Sequence, residues 1–518
     1  MTRAEKRYFK LYASRHVVAG HGNHVALFDA VAGMSEYDEV KLRERFAGEA
    51  FMNRFPIAKR RLYEAILESL DAFHAEGSID DRLRRALHHV ELLHRRALYA
   101  DAAKILRSAR TLARAHDRQA ILLQVAEWER RGLERGKYAG VTPEDLAARD
   151  DYVAGLAEEW QEVDRLWQVK SASFLLIYRS GQAPAPAELA ELEGLLKDPL
   201  LLEGAPLRTA RARFLHHHVR SALAYARNDL GACEIQLMAC AELLRKEKDR
   251  FQEEPDLILG VMGNLAHVRM RLGKHQEAIA GFREFRKIPL MLAAAPSPDL
   301  EMKLFVMGTS LELSVLSAKG DFVQGLERLP VLEEGLARYG DRASTVRRAE
   351  LDLQAAYICF GAGEHDRALR WCNRLLNERG VEAHKELHAL GRMMNLAVLI
   401  ELGRKELLTY VVRNTQRFLK LHGNAFSTEN LVLDPAQALS KATGSKARHV
   451  LWARLAANLS ERVTDVREAA LLDHIDLVSW AQGKTEDKDF GEQVRDKWRS
   501  HSDNPGGPSV KSKAKRAA

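Results

Sequence analysis

Apolar residues recur along this chain at the three- and four-residue spacing of amphipathic α-helices. Between residues 56 and 73, for example, Leu62, Ile66, Leu70 and Phe73 form one continuous stripe, which predicts a helix with a single buried face. Runs that alternate apolar and polar residues, the pattern of β-strands, are nearly absent. The pattern therefore predicts an all-α protein with roughly two thirds or more of its residues in helices.

Short turn motifs divide the predicted helices into hairpins. The clearest hairpin covers residues 264–289, where a Gly273-Lys-His turn joins two helical stretches and Pro289 follows the second. Small residues, Ala266 on the first helix and Ala278 on the second, stand where the two helices must approach each other. We expect Ala278, and Ala368 at the matching position of a later hairpin, to be buried where the paired helices touch.

Similar turns recur along most of the chain. They begin at Ala97, Gly136, Gly181, Asn228, Gly273, Gly320, Gly363, Gly403, Gly444 and Gly483. Between residues 97 and 403 their average spacing is about 44 residues. The copies that begin at Gly320 and Gly363 repeat the pattern of the first, with Gly325 and Ala368 at the position of Ala278.

These hairpins resemble tetratricopeptide repeats. The residues that carry the resemblance, in the family's order, are Leu265, Ala266, Gly273, His275, Ala278, Phe282 and Pro289. The resemblance implies a right-handed α-α solenoid of antiparallel helix pairs, whose first helices line a concave groove. The period here is longer than the family's 34 residues. From Glu5-Lys-Arg-Tyr-Phe onward the whole chain also resembles uncharacterised bacterial helical-repeat proteins, which implies the fold and no activity.

The pattern predicts three parts. Residues 1–78 form an N-terminal helical block, residues 79–498 form the solenoid, and residues 499–518 form a basic tail without an apolar face, which we expect to be disordered.

The N-terminal block has two interpretations. Lys59, Arg60 and Arg61 lie near the start of its last helix, where the recognition helix of a helix-turn-helix protein would contact DNA. Alternatively the block is a cap that gives the end of the solenoid a polar outer face. Glu64 and Glu68 on the same helix argue against DNA binding.

Charge and cysteine content narrow the choice of function. The formal net charge is +7, and four of the positive charges belong to Lys511, Lys513, Lys515 and Arg516 in the tail. The rest of the chain is therefore only mildly basic, which is weak support for a nucleic-acid partner. The four cysteines lack C-x-x-C spacing, so we expect buried thiols without a metal. With no signal-like start and no long apolar run, we expect a cytoplasmic protein.

Motifs for catalysis are not evident. The chain contains neither a phosphate-binding loop nor a G-x-S-x-G motif. His384 and His388 share a helix face, but Glu386 does not follow the first histidine directly, as the metalloprotease motif requires. We therefore expect a non-catalytic protein with no cofactor and no metal site.

Basic residues concentrate on the first helices of the predicted pairs. Residues 208–227 contain five arginines and no acidic residue. The candidate ligand-binding residues are Arg211, Arg213, His217, Arg220, Arg227, Arg269, Arg271, Arg347, Arg348 and Arg392. Arginine binds carboxylates through two hydrogen bonds, so we expect a scaffold whose basic concave groove binds an extended, acidic peptide or protein segment. Alternatively these arginines pair with acidic neighbours along the stack, or the protein is a nucleic-acid-associated regulator.

Overall fold

Helices account for 83% of the chain in the computed structural model. The structure describes residues 1–16, 23–34, 37–75, 77–180, 186–291, 296–380, 384–422, 426–442, 444–472 and 474–502, and no strand occurs in these ranges. The predicted all-α fold is confirmed. The predicted turn at Gly181 and residues 503–518 of the predicted tail lie outside the described residues.

The chain divides into two units, Met1–Trp160 and Gln161–Ala518. The helices that begin in the first unit are α1 Arg3–His16, α2 Asn23–Ala32, α3 Glu39–Arg45, α4 Phe55–His74, α5 Ile79–Arg95, α6 Tyr99–Ala115, α7 Gln119–Arg135 and α8 Pro143–Ser180, with a 3-10 turn at Ala50–Arg54. Helix α8 continues into the second unit.

The first unit contains two apolar cores. One is built from α1 to α4 around Phe9, Leu27 and Phe55, and the other is built from α5 to α8 around Leu83 and Leu122. The second begins where Ser78 caps α5, its hydroxyl accepting a hydrogen bond from the backbone N–H of Asp81 at 3.0 Å. Such a cap satisfies a backbone donor that would otherwise have no partner at the helix start. The domain boundary at residue 78 stays a prediction.

The second unit continues as a series of helices. They are α9 Pro186–Leu195, α10 Ala210–Ala226, α11 Leu230–Lys246, α12 Lys248–Phe251, α13 Pro255–Arg271, α14 His275–Phe285, α15 Ile288–Met291, α16 Pro298–Lys319, α17 Phe322–Tyr339, α18 Thr345–Gly361, α19 His365–Asn377, α20 Lys385–Leu402, α21 Lys405–His422, α22 Thr428–Lys441, α23 Ser445–Arg462, α24 Val466–Leu472, α25 Leu477–Glu486 and α26 Phe490–Ser502, with a 3-10 turn at Pro199–Leu201.

Consecutive helices of the second unit pack as pairs. Helix α13 packs on α14, α16 on α17, α18 on α19 and α20 on α21. The turns between them contain Gly273, Gly320, Gly363 and Gly403, all with positive φ, a conformation that glycine adopts without strain. Asn228 adopts the same conformation between α10 and α11. The turns are therefore where the sequence places them, whereas the superhelix and its regular period stay predictions.

Two predicted helix ends are wrong. Gly483 lies inside α25, and the chain turns at Asp487 instead. The carbonyl oxygen of Lys488 lies 2.9 Å from where a Cβ of Gly483 would be, so glycine serves there as a point of close approach. Pro289 does not terminate α14, which already ends at Phe285; it occupies the first turn of α15, where proline is tolerated.

The last helix folds back onto earlier pairs. Phe490 contacts the rings of Phe322 and Phe360, with both centroid separations at 5.5 Å. Further along α26, the guanidinium of Arg495 donates to the carbonyl oxygen of Gly320 at 3.0 Å, and Trp498 stacks on a histidine of α14 at 3.8 Å. Residues 499–502, predicted as the start of the tail, belong to this helix.

Small residues permit the close helix contacts. Ala278 and Ala368 are both fully buried, as predicted. At the equivalent Gly325, an added Cβ would lie 2.5 Å from the Cδ1 atom of Ile358. These positions therefore have little or no room for a larger side chain.

Replacing Ala278 with leucine should destabilise the protein. The extra atoms must displace packed side chains, and overpacking of this kind costs about 1–3 kcal/mol. The matched control is Ala280→Leu on the same helix, where Ala280 is exposed. We expect Ala278→Leu, but not Ala280→Leu, to lower the melting temperature measured by circular dichroism. Equal melting of the two variants would contradict this register of α14.

Removing residues 503–518 should leave the melting temperature unchanged, because this segment has no apolar face to bury. Removing α26 as well should lower it, because Phe490 and Trp498 would leave their contacts. The two truncations are compared by the same melting experiment. A large effect of the shorter truncation would show that the tail contributes to folding.

Asp352 should make stability depend on pH. Its side chain is 1% exposed, with an oxygen 3.0 Å from Arg374, and burial raises its pKa to about 7. Between about pH 4, the ordinary aspartate pKa, and pH 7 the folded chain holds a proton that the unfolded chain has lost. Stability should therefore fall as the pH rises through this window. We expect wild type to lose melting temperature relative to Asp352→Asn between pH 5 and pH 8. A constant difference would contradict the expectation.

Candidate ligand-binding site

Three of the predicted basic residues of α10 and α13 contact acidic neighbours. Arg211 pairs with Glu254, and Arg213 pairs with Glu247 at 3.1 Å. Arg269, whose side chain is 18% exposed, lies 3.1 Å from a carboxylate oxygen of Glu234 on α11 and 3.4 Å from Glu277 on α14. These carboxylates neutralise the guanidinium groups, so these arginines link neighbouring helices.

Arg348 and Arg392 are likewise committed to the fold. Arg348 donates to Glu378 at 2.5 Å and to the carbonyl oxygen of Gly340 at 2.7 Å. Arg392 pairs with Glu429, and both side chains are at most 8% exposed. Removing one partner of such a buried pair leaves an uncompensated charge. These two arginines are therefore better understood as structural residues.

The remaining candidates on α10 have polar partners of other kinds. His217 interacts with the side-chain oxygen of Gln236 at 2.8 Å, and Arg220 approaches the ring of His216 at 3.2 Å. The Nε atom of Arg227 is buried without a hydrogen-bond partner. These contacts lie along one helix and do not gather around a single site.

Arg271 and Arg347, by contrast, act on a common group. Arg271 lies over the ring of Tyr225 at 5.8 Å and donates to the side-chain oxygen of Asn228 at 3.0 Å. The hydroxyl of Tyr225 lies 3.1 Å from the Nε2 atom of His267. Both Arg271 and Arg347 lower the pKa of His267 through their charges. Side chains from α10 and α13 are therefore in contact, and Arg347 of α18 acts on them through its charge.

Two further groups complete this arrangement. His474 also lowers the pKa of His267 through its charge, and Glu386 raises the pKa of Tyr225. The Nε2 atom of His474 lies 3.5 Å from a carboxylate oxygen of Glu386. We call the set Tyr225, His267, Arg271, Arg347, Glu386 and His474 the inner polar cluster.

Two segments that are far apart in the sequence contact each other beside the cluster. The Nδ1 atom of His384, immediately before α20, lies 3.2 Å from the carbonyl oxygen of Tyr178 near the end of α8, although 206 positions separate the two residues. Arg347 is also electrostatically coupled to Tyr178 and Tyr225. The first helices of four pairs, α10, α13, α18 and α20, thus contribute to one region.

We infer that the cluster lines a recess, because Tyr225 and His267 keep solvent contact although many protein atoms surround them. The side chains of Tyr225 and His267 are partly accessible to solvent. Burial among the surrounding protein atoms is nevertheless the main cause of their pKa shifts. Burial, helped by the nearby cations, lowers the pKa of His267 to about 3, and it raises the pKa of Tyr225. At neutral pH the recess therefore holds a neutral imidazole, a neutral phenol and two guanidinium groups. Such a set can hold an anionic group by hydrogen bonds and charge.

Sequence reasoning identified only the two arginines of this cluster. His267 and Arg271 are four positions apart on one helix, which places them on one face and is a weak signal. Tyr225, Glu386 and His474 carry no pattern that connects them, because they come together only through folding.

The candidate DNA-contacting residues do not form an open basic surface. Lys59 pairs with Glu39 at 2.6 Å, and Arg60 pairs with Glu64 at 2.8 Å. Arg61 is exposed on the same helix. The DNA-binding alternative stays a prediction without a supporting contact.

The cysteines and histidines of the described residues indicate no metal centre. Cys233, Cys240, Cys359 and Cys372 are free and buried, as predicted, and burial raises the pKa of the Cys359 thiol to about 11. Within the described ranges no three His, Cys, Asp or Glu side chains are arranged to hold a metal ion. In the same ranges, every helix is too short or too polar to span a bilayer.

Comparison with known proteins leaves the geometry as the only guide to function. No protein-family profile matches the chain, and no curated protein matches it.

Proposed function

We propose that this chain is a non-catalytic interaction scaffold, a right-handed α-solenoid that binds an acidic peptide or protein segment at the inner polar cluster. The observation that carries the proposal is the contact among Tyr225, His267 and Arg271 from two first helices, with the charge of Arg347 from a third first helix acting on the same imidazole. In a tetratricopeptide-like solenoid the first helices line the concave groove, which is where an extended ligand would lie.

The ligand should be anionic because cations and hydrogen-bond donors face the recess. Arg347 is 55% exposed, and its acidic partner Glu350 is three positions away on the same helix, at 2.7 Å. An exposed pair of this kind contributes only a few tenths of a kcal/mol. A ligand carboxylate can therefore replace Glu350 at little cost and gain a two-hydrogen-bond contact with the guanidinium.

The neighbouring groups favour a carboxylate that enters the recess. His267 is neutral and hydrogen-bonded to Tyr225, so one of the two, the imidazole N–H or the phenol O–H, is left to donate to a ligand without adding charge. Arg271 adds a second cation that is already held over the Tyr225 ring. Glu386, close to His474, disfavours a ligand that fills the whole recess with negative charge. A segment with one or two buried carboxylates and further acidic residues outside fits this balance.

The proposal is tested with an array of short Glu- and Asp-rich peptides that carry free C-terminal carboxylates. The best binder is then titrated by fluorescence anisotropy against wild type, Arg271→Gln and Arg347→Gln. Each substitution removes a charge-assisted hydrogen bond that contributes about 1.5–3 kcal/mol, so we expect Kd to rise about ten-fold or more for each variant. Binding should also weaken as salt increases, because the contact is electrostatic.

The matched control is Arg245→Gln on α11, where Arg245 is 71% exposed and pairs with Glu242 at 2.8 Å. This control should bind as wild type does, and circular dichroism should show unchanged helix content in all variants. Equal binding by Arg347→Gln and wild type would exclude the inner polar cluster as the site. An array with no retained peptide would exclude the acidic-ligand proposal itself.

A further inference from the structure

A groove in the first unit has the properties of a second binding surface. It lies between α5 and α6 and is a depression of about 370 Å3 that is open to solvent. We call it the α5–α6 groove. The lining residues used here are Arg82 and Ala86 from α5, and Lys104, Ile105, Ser108 and Leu112 from α6.

The groove lies on apolar surface that the rest of the first unit leaves partly uncovered. Leu87 and Leu106, on the same two helices, are buried in the core that α5 and α6 share with α7 and α8. Ala86, Ile105 and Leu112 are only half-buried. The separate core of α1 to α4 includes none of these three residues. This half-exposed stripe along two paired helices leaves apolar area that a docked partner would bury.

The shape of the groove suits a helix. Ala86 and Ser108 are small, and Ser108 lies between the larger Ile105 and Leu112 along α6, which leaves a depression that the side chains of a third helix can enter. Residues 105, 108 and 112 recur at three- and four-residue intervals, so the apolar floor follows the axis of α6. An amphipathic helix presents its own side chains at the same intervals.

The charges around the groove favour a negatively charged partner. Arg82 lies in the first turn of α5, whereas Lys104 lies nearer the turn that joins the two helices, so the cations flank opposite ends of the floor. The acid that Lys104 contacts is Asp101, three positions away at 3.0 Å, and both side chains are more than half exposed. A partner's carboxylate can displace so weak a pair.

We infer that the α5–α6 groove docks an acidic amphipathic helix of a partner protein. Positions 104 and 112 mark the two ends of the groove floor on α6 and are about 12 Å apart along the helix. The docked helix should therefore carry acidic residues about two turns apart beside an apolar stripe. This inference is independent of the inner polar cluster, which belongs to the second unit.

The experiment uses the full-length protein and a labelled synthetic helical peptide of about 18 residues, with a leucine stripe flanked by two glutamates about two turns apart. Two companion peptides carry lysine in place of glutamate, or serine in place of leucine. We expect the acidic amphipathic peptide to bind, and both companions to bind at least about ten-fold more weakly. Hydrogen exchange of the complex should show protection within residues 82–112.

Two variants test the groove directly. Arg82→Gln combined with Lys104→Gln should weaken binding at least about ten-fold, and Ser108→Trp should abolish it by filling the depression. The matched control is Arg95→Gln, an exposed arginine of α5 that pairs with Glu91 and lies outside the groove. Arg347→Gln, which tests the inner polar cluster, should leave this binding unchanged, so the two proposals fail separately.

Three outcomes would overturn the inference. The first is failure of the acidic peptide to bind, and the second is equal binding of the peptide by Ser108→Trp and wild type. The third is binding of the fatty acid dodecanoate, titrated as an alternative ligand, in the groove without binding of the peptide. The last would assign the groove to a small anionic amphiphile. Because Ser108→Trp fills a depression at the surface, the helix content of this variant is checked by circular dichroism. If Ser108→Trp misfolds, the double variant with glutamine at positions 82 and 104 gives an independent answer.

Discussion

The structure depends on helices that approach more closely than ordinary side chains allow. A Cβ added to Gly361 would lie 2.3 Å from the ring of Phe322, and one added to Gly325 would lie 2.5 Å from Ile358. Real Cβ atoms do not come this close to other heavy atoms, so α17 and α18 interlock only because these positions have no side chain. Ala278 and Ala368 play the same part with one carbon more. Interiors packed at this density transmit any change in volume to their neighbours.

Ion pairs between helices form a second layer of constraint, and they limit which charges can serve a ligand. Arg392 is almost fully buried with Glu429, and Arg269 is mostly buried with Glu234; breaking such a pair costs more than an exposed contact returns. Arg347 differs because its partner is exposed and local. Whether an arginine of the second unit can bind a ligand therefore depends on how easily its acidic partner is displaced. The number of arginines does not show this.

The two proposed surfaces use different physics. The inner polar cluster is a recess of polar groups in which burial keeps His267 neutral, so charge and hydrogen bonds would select the ligand. The α5–α6 groove is an apolar floor between Arg82 and Lys104, so burial of apolar area would provide affinity and the two cations would provide orientation. An acidic partner could use one surface without the other.

Much of the fold is determined by the sequence alone, because helix periodicity, turn glycines and caps are local properties. The stripe through Leu62 and Ile66, the turns at Gly273 and Gly363 and the buried Ala278 all follow from residues within one hairpin. The turn wrongly predicted at Gly483 shows the limit of this local reasoning. Glycine is required there by a close contact with the backbone and does not form a turn.

The sequence could not show that Tyr225 and His267 meet, that α26 folds back on Phe322, or that Arg213 is neutralised by Glu247. Those contacts depend on the summed rotation of many helix crossings. A small change at each crossing moves distant residues apart, so only the tertiary structure decides them.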